Sequence, residues 1–253
     1  MDKFDTFLSI FLIFIFSFVF LPIVYMILNP GDLSQLLDKE VIEAFKTTLL
    51  AGVVATSIAL IFGIPTGYIL ARHEFTFKNF IEAVLDLPMA IPHSVVGIMI
   101  LSFIYGVDFI KFIGEYIVDN FWGIVVVYLF VGIPFMINSI RDGFLSVDEE
   151  IEYVSRTLGA SKLRTFFEIS IPLIRNNIIS GTILSFARGI SEVGALLIIA
   201  YYPKTVPILI YERFMSFGLN ASKPISVAMI VVSVVLFALF RMFGTTNRKD
   251  KRK

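Results

Sequence analysis

Arg188 and Glu192 stand four residues apart inside an otherwise apolar stretch from Asn176 to about Ala200. On a continuous helix begun at Asn176, Arg188 would lie roughly 18 Å along, near the middle of a hydrocarbon layer about 30 Å thick. A charge at that depth costs about 2.5–3.5 kcal/mol on insertion scales, so it requires a partner, a polar cavity, or both. The i,i+4 spacing sets the two side chains on one helix face, with Ser191 between them. Two readings follow. The pair is structural, either packing helices or marking a break that lifts the charges out of lipid, or it forms one wall of a solute path. The guanidinium is permanently charged and offers several donors, and a carboxylate one turn away would partly neutralise it.

A second polar group is formed by Pro88, Pro92, His93 and Ser94. Two prolines four residues apart predict irregular backbone, tolerated at membrane depth only where protein or a cavity shelters it. His93 reads as a hydrogen-bonded structural residue or as a polar contact beside a solute path. The only other histidine is His73, and the chain has no cysteine. Metal binding is therefore unsupported and no metal site is expected. Without cysteine there are no disulfides, and the redox compartment stays open.

A third group lies between charged ends, from Arg141 to Arg175. Ser146 followed by Glu149 predicts a capping box, with Ile151, Val154 and Leu158 on one helix face. Gly159 can end that helix with positive φ, and Ser161 can cap a second helix carrying Leu163, Phe166 and Phe167 before Pro172 breaks it. Residues 146–172 thus form a compact, partly apolar knob, which is either a docking surface or an interfacial helix pair without a partner. A fourth group, Tyr201, Tyr202, Tyr211, Glu212 and Arg213, sits in a connection running from Tyr201 to Lys223. Its aromatic content fits a membrane-interface belt, and its length and apolarity let it dip back toward a cavity.

The elements that must position these groups are membrane spans. The chain is 57% hydrophobic and 17% charged, with a mean hydropathy of +0.85; that composition predicts a polytopic membrane protein. Uncharged runs occupy Thr6 to Gly31, Thr47 to Ala71, Leu87 to Val107, Asn120 to Ile140, the two segments flanking Arg188 and Glu192, and Pro224 to Phe240. Joining the two flanking segments gives six spans. Continuous rather than alternating apolarity makes them helical, so the expected class is all-α, with residues 1–253 as one transmembrane domain. The first run is too long for a signal-peptide core and no small-x-small cleavage site follows it, so it reads as an anchor. Gly63, Pro65 and Gly67 in the second mark a kink or a close helix contact.

With six spans, Lys3, Arg72, Lys78, Arg141, Arg156, Lys162, Arg164, Arg175, Arg241 and the basic residues of 248–253 share one face. This excess places both termini in the cytoplasm. The tail from Arg248 to Lys253 reads as a topology and lipid-headgroup anchor. The chain carries 21 basic and 21 acidic residues, a balance that gives no reason to expect a nucleic-acid partner.

The stretch Arg156-Thr157-Leu158-Gly159-Ala160-Ser161, followed by Phe166, Phe167, Ile169, Ile171 and Pro172, resembles the cytoplasmic motif of permease subunits of binding-protein-dependent ABC importers. That motif reads Glu-Ala-Ala, three residues, Gly, nine residues, Ile-x-Leu-Pro. The spacing from Gly159 to Ile169 and Pro172 is met; at the front, the motif's glutamate falls on Tyr153 and its alanines on Val154 and Ser155, with Glu152 one place early. Three further pieces resemble more closely the molybdate and tungstate permeases of archaea and bacteria. They are Leu87-Pro88 with Ile91 to Gly97, Ala187 to Ala195, and Ala200-Tyr201-Tyr202-Pro203 with Pro207 and Leu209 to Arg213. The first is shared with sulfate permeases, and Val193 stands where the molybdate-type motif commonly has Phe.

The resemblance implies a type I ABC importer permease fold in a prokaryotic, archaeal cell membrane. Its implied partners are a second copy of the chain, two ABC ATPase subunits, an external oxyanion-binding protein and membrane lipid. It also implies that Glu152, Tyr153, Leu158, Gly159, Ala160, Ser161, Phe166, Phe167 and Pro172 couple to the ATPase. The translocation path would take Pro88, Pro92, His93, Ser94, Arg188, Ser191 and Glu192. The chain has no Gly-x-x-x-x-Gly-Lys-Ser/Thr loop, so no cofactor and no catalytic residue is expected on it; ATP and Mg would be held by the partner ATPases. A sulfate-type permease, an ion-coupled secondary anion carrier built on Arg188 and Glu192, and a non-transporting scaffold are the alternatives. No internal inverted repeat supports the carrier.

Overall fold

The computed structural model describes residues 2–245; the basic run of 248–253 lies outside them. Among the described residues the fold is all-α. The order is α1 (Lys3–Leu28), a 3-10 turn (Leu33–Leu37), α2 (Lys39–Arg72), α3 (Lys78–Ala90), α4 (His93–Gly106), the one-turn helices α5 (Asp108–Lys111) and α6 (Gly114–Ile117), and α7 (Phe121–Leu145). There follow α8 (Glu149–Thr157), α9 (Lys162–Thr165), a π-helical turn (Phe166–Ser170), α10 (Ile171–Leu173), α11 (Arg175–Ile190), α12 (Leu196–Ile199), α13 (Val206–Phe217) and α14 (Leu219–Thr245).

The core is the bundle of α2, α7 and α11. Burial on α2 falls on small residues, among them Ala44, Ala51, Gly52, Ala55, Ala59, Gly63 and Gly67. In lipid, where apolar surface alone does not drive helices together, such a face permits close backbone approach and dense packing. A Cβ at Gly63 would stand 2.7 Å from Met136 Cγ, and one at Gly67 2.7 Å from Ile140 Cγ2. These glycines therefore serve a close helix contact, and Pro65 is accommodated inside an unbroken 34-residue helix. By contrast α1 buries nothing in its apolar window.

Four described helices are long and apolar enough to cross a membrane: α1, α2, α7 and α14. A fifth arises if α3 and α4, bent by 117° at their junction, count as one span. This differs from the expected six. The third expected span is a helix pair, with Pro88 inside α3 and the irregular backbone confined to Ile91 and Pro92. The fifth expected span is interrupted. α11 is a 16-residue helix that ends at Ile190, and only the four residues of α12 resume helical structure.

Two further local expectations are corrected. Ser146 is the C-terminal cap of α7, its hydroxyl donating to Gly143 O at 2.7 Å, while Asp148 caps α8 by accepting from Glu150 N at 3.0 Å. Asp148 is a better placed acceptor than Ser146, whose hydroxyl is engaged by the preceding helix. Pro172 does not end its helix either; it lies at the start of α10, and the chain turns at Ile174 (φ −94°, ψ 10°).

Candidate functional sites

Two helix breaks meet in space. The first follows Pro92, where α4 begins with His93; the second follows Ile190, where Ser191–Ala195 leave the helix. Glycine makes the junction possible. A Cβ at Gly97 would lie 3.0 Å from Ala195 O, and one at Gly194 2.8 Å from His93 Cβ.

The junction gathers the charged residues. Glu192 is fully buried, and its Oε2 accepts from His93 Nδ1 and from Arg188 Nη2, the latter at 3.1 Å. Its Oε1 accepts from Ala195 N at 3.1 Å. A carboxylate only accepts, so the His93 proton in that bond belongs to Nδ1. Arg188 Nη2 lies 3.0 and 2.9 Å from the two ring nitrogens of His93. This near-equal spacing sets the guanidinium against the face of the ring rather than in line with one lone pair. Arg188 also sits in the last turn of α11, where the helix dipole favours a cation.

Exposure divides the cluster into an inner and an outer layer. The Glu192 side chain has no solvent access, while Arg188 retains 20% and His93 48%. An enclosed carboxylate thus holds a guanidinium and an imidazole at an open face. Pro92, Ser94 and Ser191 are exposed beside it, and Pro88 is buried. Sequence reasoning brought all these residues into one set but missed the Ala195 amide, which exists as a donor only because the helix breaks.

The 146–172 knob has an inner and an outer face as well. Phe166 points inward, stacked on Phe144 and edge-on to Tyr68, whereas Phe167 is exposed. Gly159 has φ +95° and Ser161 caps α9 by accepting from Arg164 N at 3.2 Å, both as expected from sequence. Tyr153 and Leu158 are exposed, Ala160 sits between the two helices, and Pro172 lies in α10 behind them. Glu152 turns inward: it accepts from Tyr68 Oη at 3.1 Å and from Arg72 Nε at 3.2 Å, and Arg72 also donates to Val147 O at 3.0 Å. A cavity of about 280 Å³ opens between this latch, α8 and α9. Tyr68 and Arg72, absent from the sequence-derived set, are at the end of α2, and no local pattern links them to residue 152.

At the opposite end, Lys204 donates to Glu40 at 2.7 Å and to Glu212 at 2.8 Å, and Arg213 donates to Glu40 at 3.0 Å. Tyr201 Oη donates to Glu212 at 2.8 Å, and its backbone N–H donates to Asp119 at 2.9 Å. Burial draws the Lys204 pKa down, but its hydrogen bonds to Glu212 and Glu40 more than reverse this and leave it above the usual lysine value. Tyr202 and Tyr211 are exposed, and Val206, Ile208 and Leu209 of α13 are buried, so α13 packs onto the bundle. The network thereby ties the connection to α2. Lys204, the lone charge between Glu192 and Glu212, was the signal that could have pointed to it.

Among the described residues no group of three or more His, Cys, Asp or Glu side chains is placed to hold a metal. Residues 63–249 match the family described as "Binding-protein-dependent transport system inner membrane component". The chain is 83% identical over 244 residues, 96% of its length and 98% of the relative's, to the molybdate/tungstate transport system permease protein WtpB of Methanocaldococcus jannaschii. The chain belongs to the binding-protein-dependent transport permeases, in their molybdate/tungstate group.

Within that family it is also 49% identical to the protein of the same name from Pyrococcus furiosus, covering 90% of both chains. A solved bacterial ABC transporter involved in import of the acidic polysaccharide alginate shares the fold at a TM-score of 0.70, with 15% identity, 97% of this permease and 99% of that chain covered. The permease fold expected from the cytoplasmic motif is thus present. Family membership also sets aside the secondary-carrier and scaffold readings.

Proposed function

We propose that this permease is the membrane-spanning subunit of an ATP-driven importer that moves molybdate and tungstate into the cytoplasm. The observation that carries the reading is the 83% identity, over nearly the whole of both chains, to a permease named for those two oxyanions. The chemistry of the junction agrees with it. Arg188 offers guanidinium donors at an open face, and buried Glu192 offsets its positive charge, a combination suited to brief contact with a dianion rather than storage.

In this reading the 1–253 chain is one transmembrane domain that crosses the membrane six times. The bent pair α3/α4 counts as one crossing and the broken pair α11/α12 as another. The distribution of Lys and Arg puts both termini and the 146–172 segment in the cytoplasm. Two copies pair so that their α4 and α11 surfaces border one path, because a single such bundle has little room for an aqueous channel. The knob docks on an ATPase subunit, which holds ATP and Mg. The network at Tyr201, Tyr202, Tyr211, Glu212 and Arg213 faces the external binding protein. The named relatives come from archaea, which supports an archaeal cell membrane as its location.

The test is ATP hydrolysis by the purified permease–ATPase complex in liposomes, titrated with binding protein loaded with molybdate, tungstate or sulfate. Stimulation by the first two above the sulfate level is expected. Equal stimulation by sulfate would reassign the substrate class.

A further inference from the structure

We infer that the ATPase subunit presents an aspartate or glutamate side chain to Arg156 and Lys162, at the mouth of the cavity between α2, α8 and α9. The inference rests on the docking role proposed above for residues 146–172 and specifies the chemistry of that contact.

The first observation is that the acidic residue nearest the motif's glutamate position is already engaged. Glu152 is paired with Arg72 at 3.1 Å, and their side chains are only 12% and 6% exposed. Tyr68 donates to the same carboxylate. Breaking that pair to reach outward would take from Arg72, enclosed against Phe144, its nearest carboxylate and leave it the Val147 carbonyl and the more distant Glu149, an outcome disfavoured for a buried cation. Glu152 therefore ties the knob to α2, and Tyr153, which occupies the motif's glutamate position, carries no charge.

The second observation is the reverse charge on the outer side. Arg156 and Lys162 are exposed and line the cavity, and among the described residues neither has a carboxylate partner. The neighbouring Arg164 is already paired with Glu168 at 2.8 Å. Acidic residues of α8 do occur, with Glu149 on the cavity wall 3.7 Å from Arg72 and Glu150 beside it, but they stand at the helix's other end. Tyr153 and Leu163 line the cavity with the two free cations, and Leu158 and Phe167 are exposed on the same 146–172 segment, all four more than half exposed. An apolar patch of this kind becomes desolvated when a protein covers it. Covering it also strips water from Arg156 and Lys162, which is unfavourable unless the partner brings opposite charge. A carboxylate side chain fits a cavity of about 280 Å³ with room for water.

The experiment uses the assembled permease–ATPase complex. Treatment with a zero-length carbodiimide should join Lys162 Nζ to an Asp or Glu of the ATPase through an amide bond, identified by mass spectrometry. Lys162→Arg should remove the cross-link while the complex still co-purifies. The paired change Arg156→Glu with Lys162→Glu should weaken ATPase binding by about tenfold or more. Leu158→Asp serves as the control for docking itself. Loss of binding in Leu158→Asp, with normal binding in the charge-reversed pair and no cross-link at Lys162, overturns the inference but keeps the docking reading. Normal binding in all of these variants overturns both. Wild-type binding that is lost when anionic lipid is withdrawn and returns when it is added back, with no cross-link at Lys162, would assign the cations to headgroups and likewise overturn the inference.

Discussion

His93 and Glu192 join the two helix breaks of this permease through one hydrogen bond, from His93 Nδ1 to Glu192 Oε2. One residue opens α4 and the other follows the C-terminus of α11. Elsewhere a buried carboxylate of this kind would call for one salt-bridge partner. Here it has three donors, two of which reach an open face. That arrangement decides what substitutions should do.

Replacing Arg188 with Ala leaves Glu192 with His93 and the Ala195 amide, so the folded protein should persist. Replacing Glu192 with Ala removes the acceptor for all three donors and, because Arg188 and His93 reach an open face, should destabilise by about 1–3 kcal/mol. Thermal unfolding in detergent separates the two. Uptake normalised to assembled complex should then fall at least about tenfold in Arg188→Ala, matching the loss of one charge-assisted contact to the anion. Recovery of both folding and uptake in the Arg188→Ala, Glu192→Ala double variant would make the cluster structural only.

Gly194→Ala addresses the junction without touching a charge. The new Cβ would stand 2.8 Å from His93 Cβ, so α4 must shift or the 191–195 segment must move. A destabilisation of about 1–3 kcal/mol is expected, together with slowed transport and undiminished ATPase co-purification. Wild-type transport in this variant would mean that the junction geometry does not govern passage.

Gly159→Val tests the knob. Nothing lies within 4 Å of a Cβ built there, so the cost arises from φ +95° alone, about 1–3 kcal/mol for a β-branched residue held in that region. The two short helices should lose their relative aim, weakening ATPase co-purification while the permease remains inserted. Retained binding would show that their angle is immaterial.

Much of the knob was legible because it is local. Gly159 after Leu158 and Ser161 before Lys162 carry their conformations in their own chemistry. The interruption of α11 was legible only as one of the readings that Arg188 and Glu192 allowed, and nothing local decided for it. Val193 to Ile199 is as apolar as a span, so hydropathy carries the reading straight through residues whose path is set by Gly97, Gly194 and the Glu192–Ala195 contact. The same holds for Glu152 with Arg72, 80 residues apart, and Lys204 with Glu40, 164 apart. Composition announces such charges but not their partners.

Lys204→Met should loosen the outer network by about 2 kcal/mol, given that its two carboxylates are partly exposed. Because the Lys204 pKa is raised, its contribution is complete below the ordinary lysine value and is lost only as pH climbs through the higher folded value. Stability should accordingly show no step from this cluster across neutral pH and a decline in strong alkali, missing in Lys204→Met. A neutral-pH step abolished by the substitution would contradict the assignment.

Pairing of two copies can be read cleanly because the chain has no native cysteine. A single Ser191→Cys, at an exposed position beside Arg188, should cross-link between copies in membranes when oxidised. Exclusive recovery of monomer from an actively transporting preparation would exclude the shared path.

The most direct measurement is metal content, by mass spectrometry, inside proteoliposomes containing the permease and its ATPase, with external binding protein and ATP supplied to the ATPase side. The account predicts accumulation of molybdenum and tungsten only when ATP and binding protein are both present, and little of either with Arg188→Ala. Accumulation without ATP, driven by an ion gradient, or ATP-driven uptake of neither oxyanion, would contradict it.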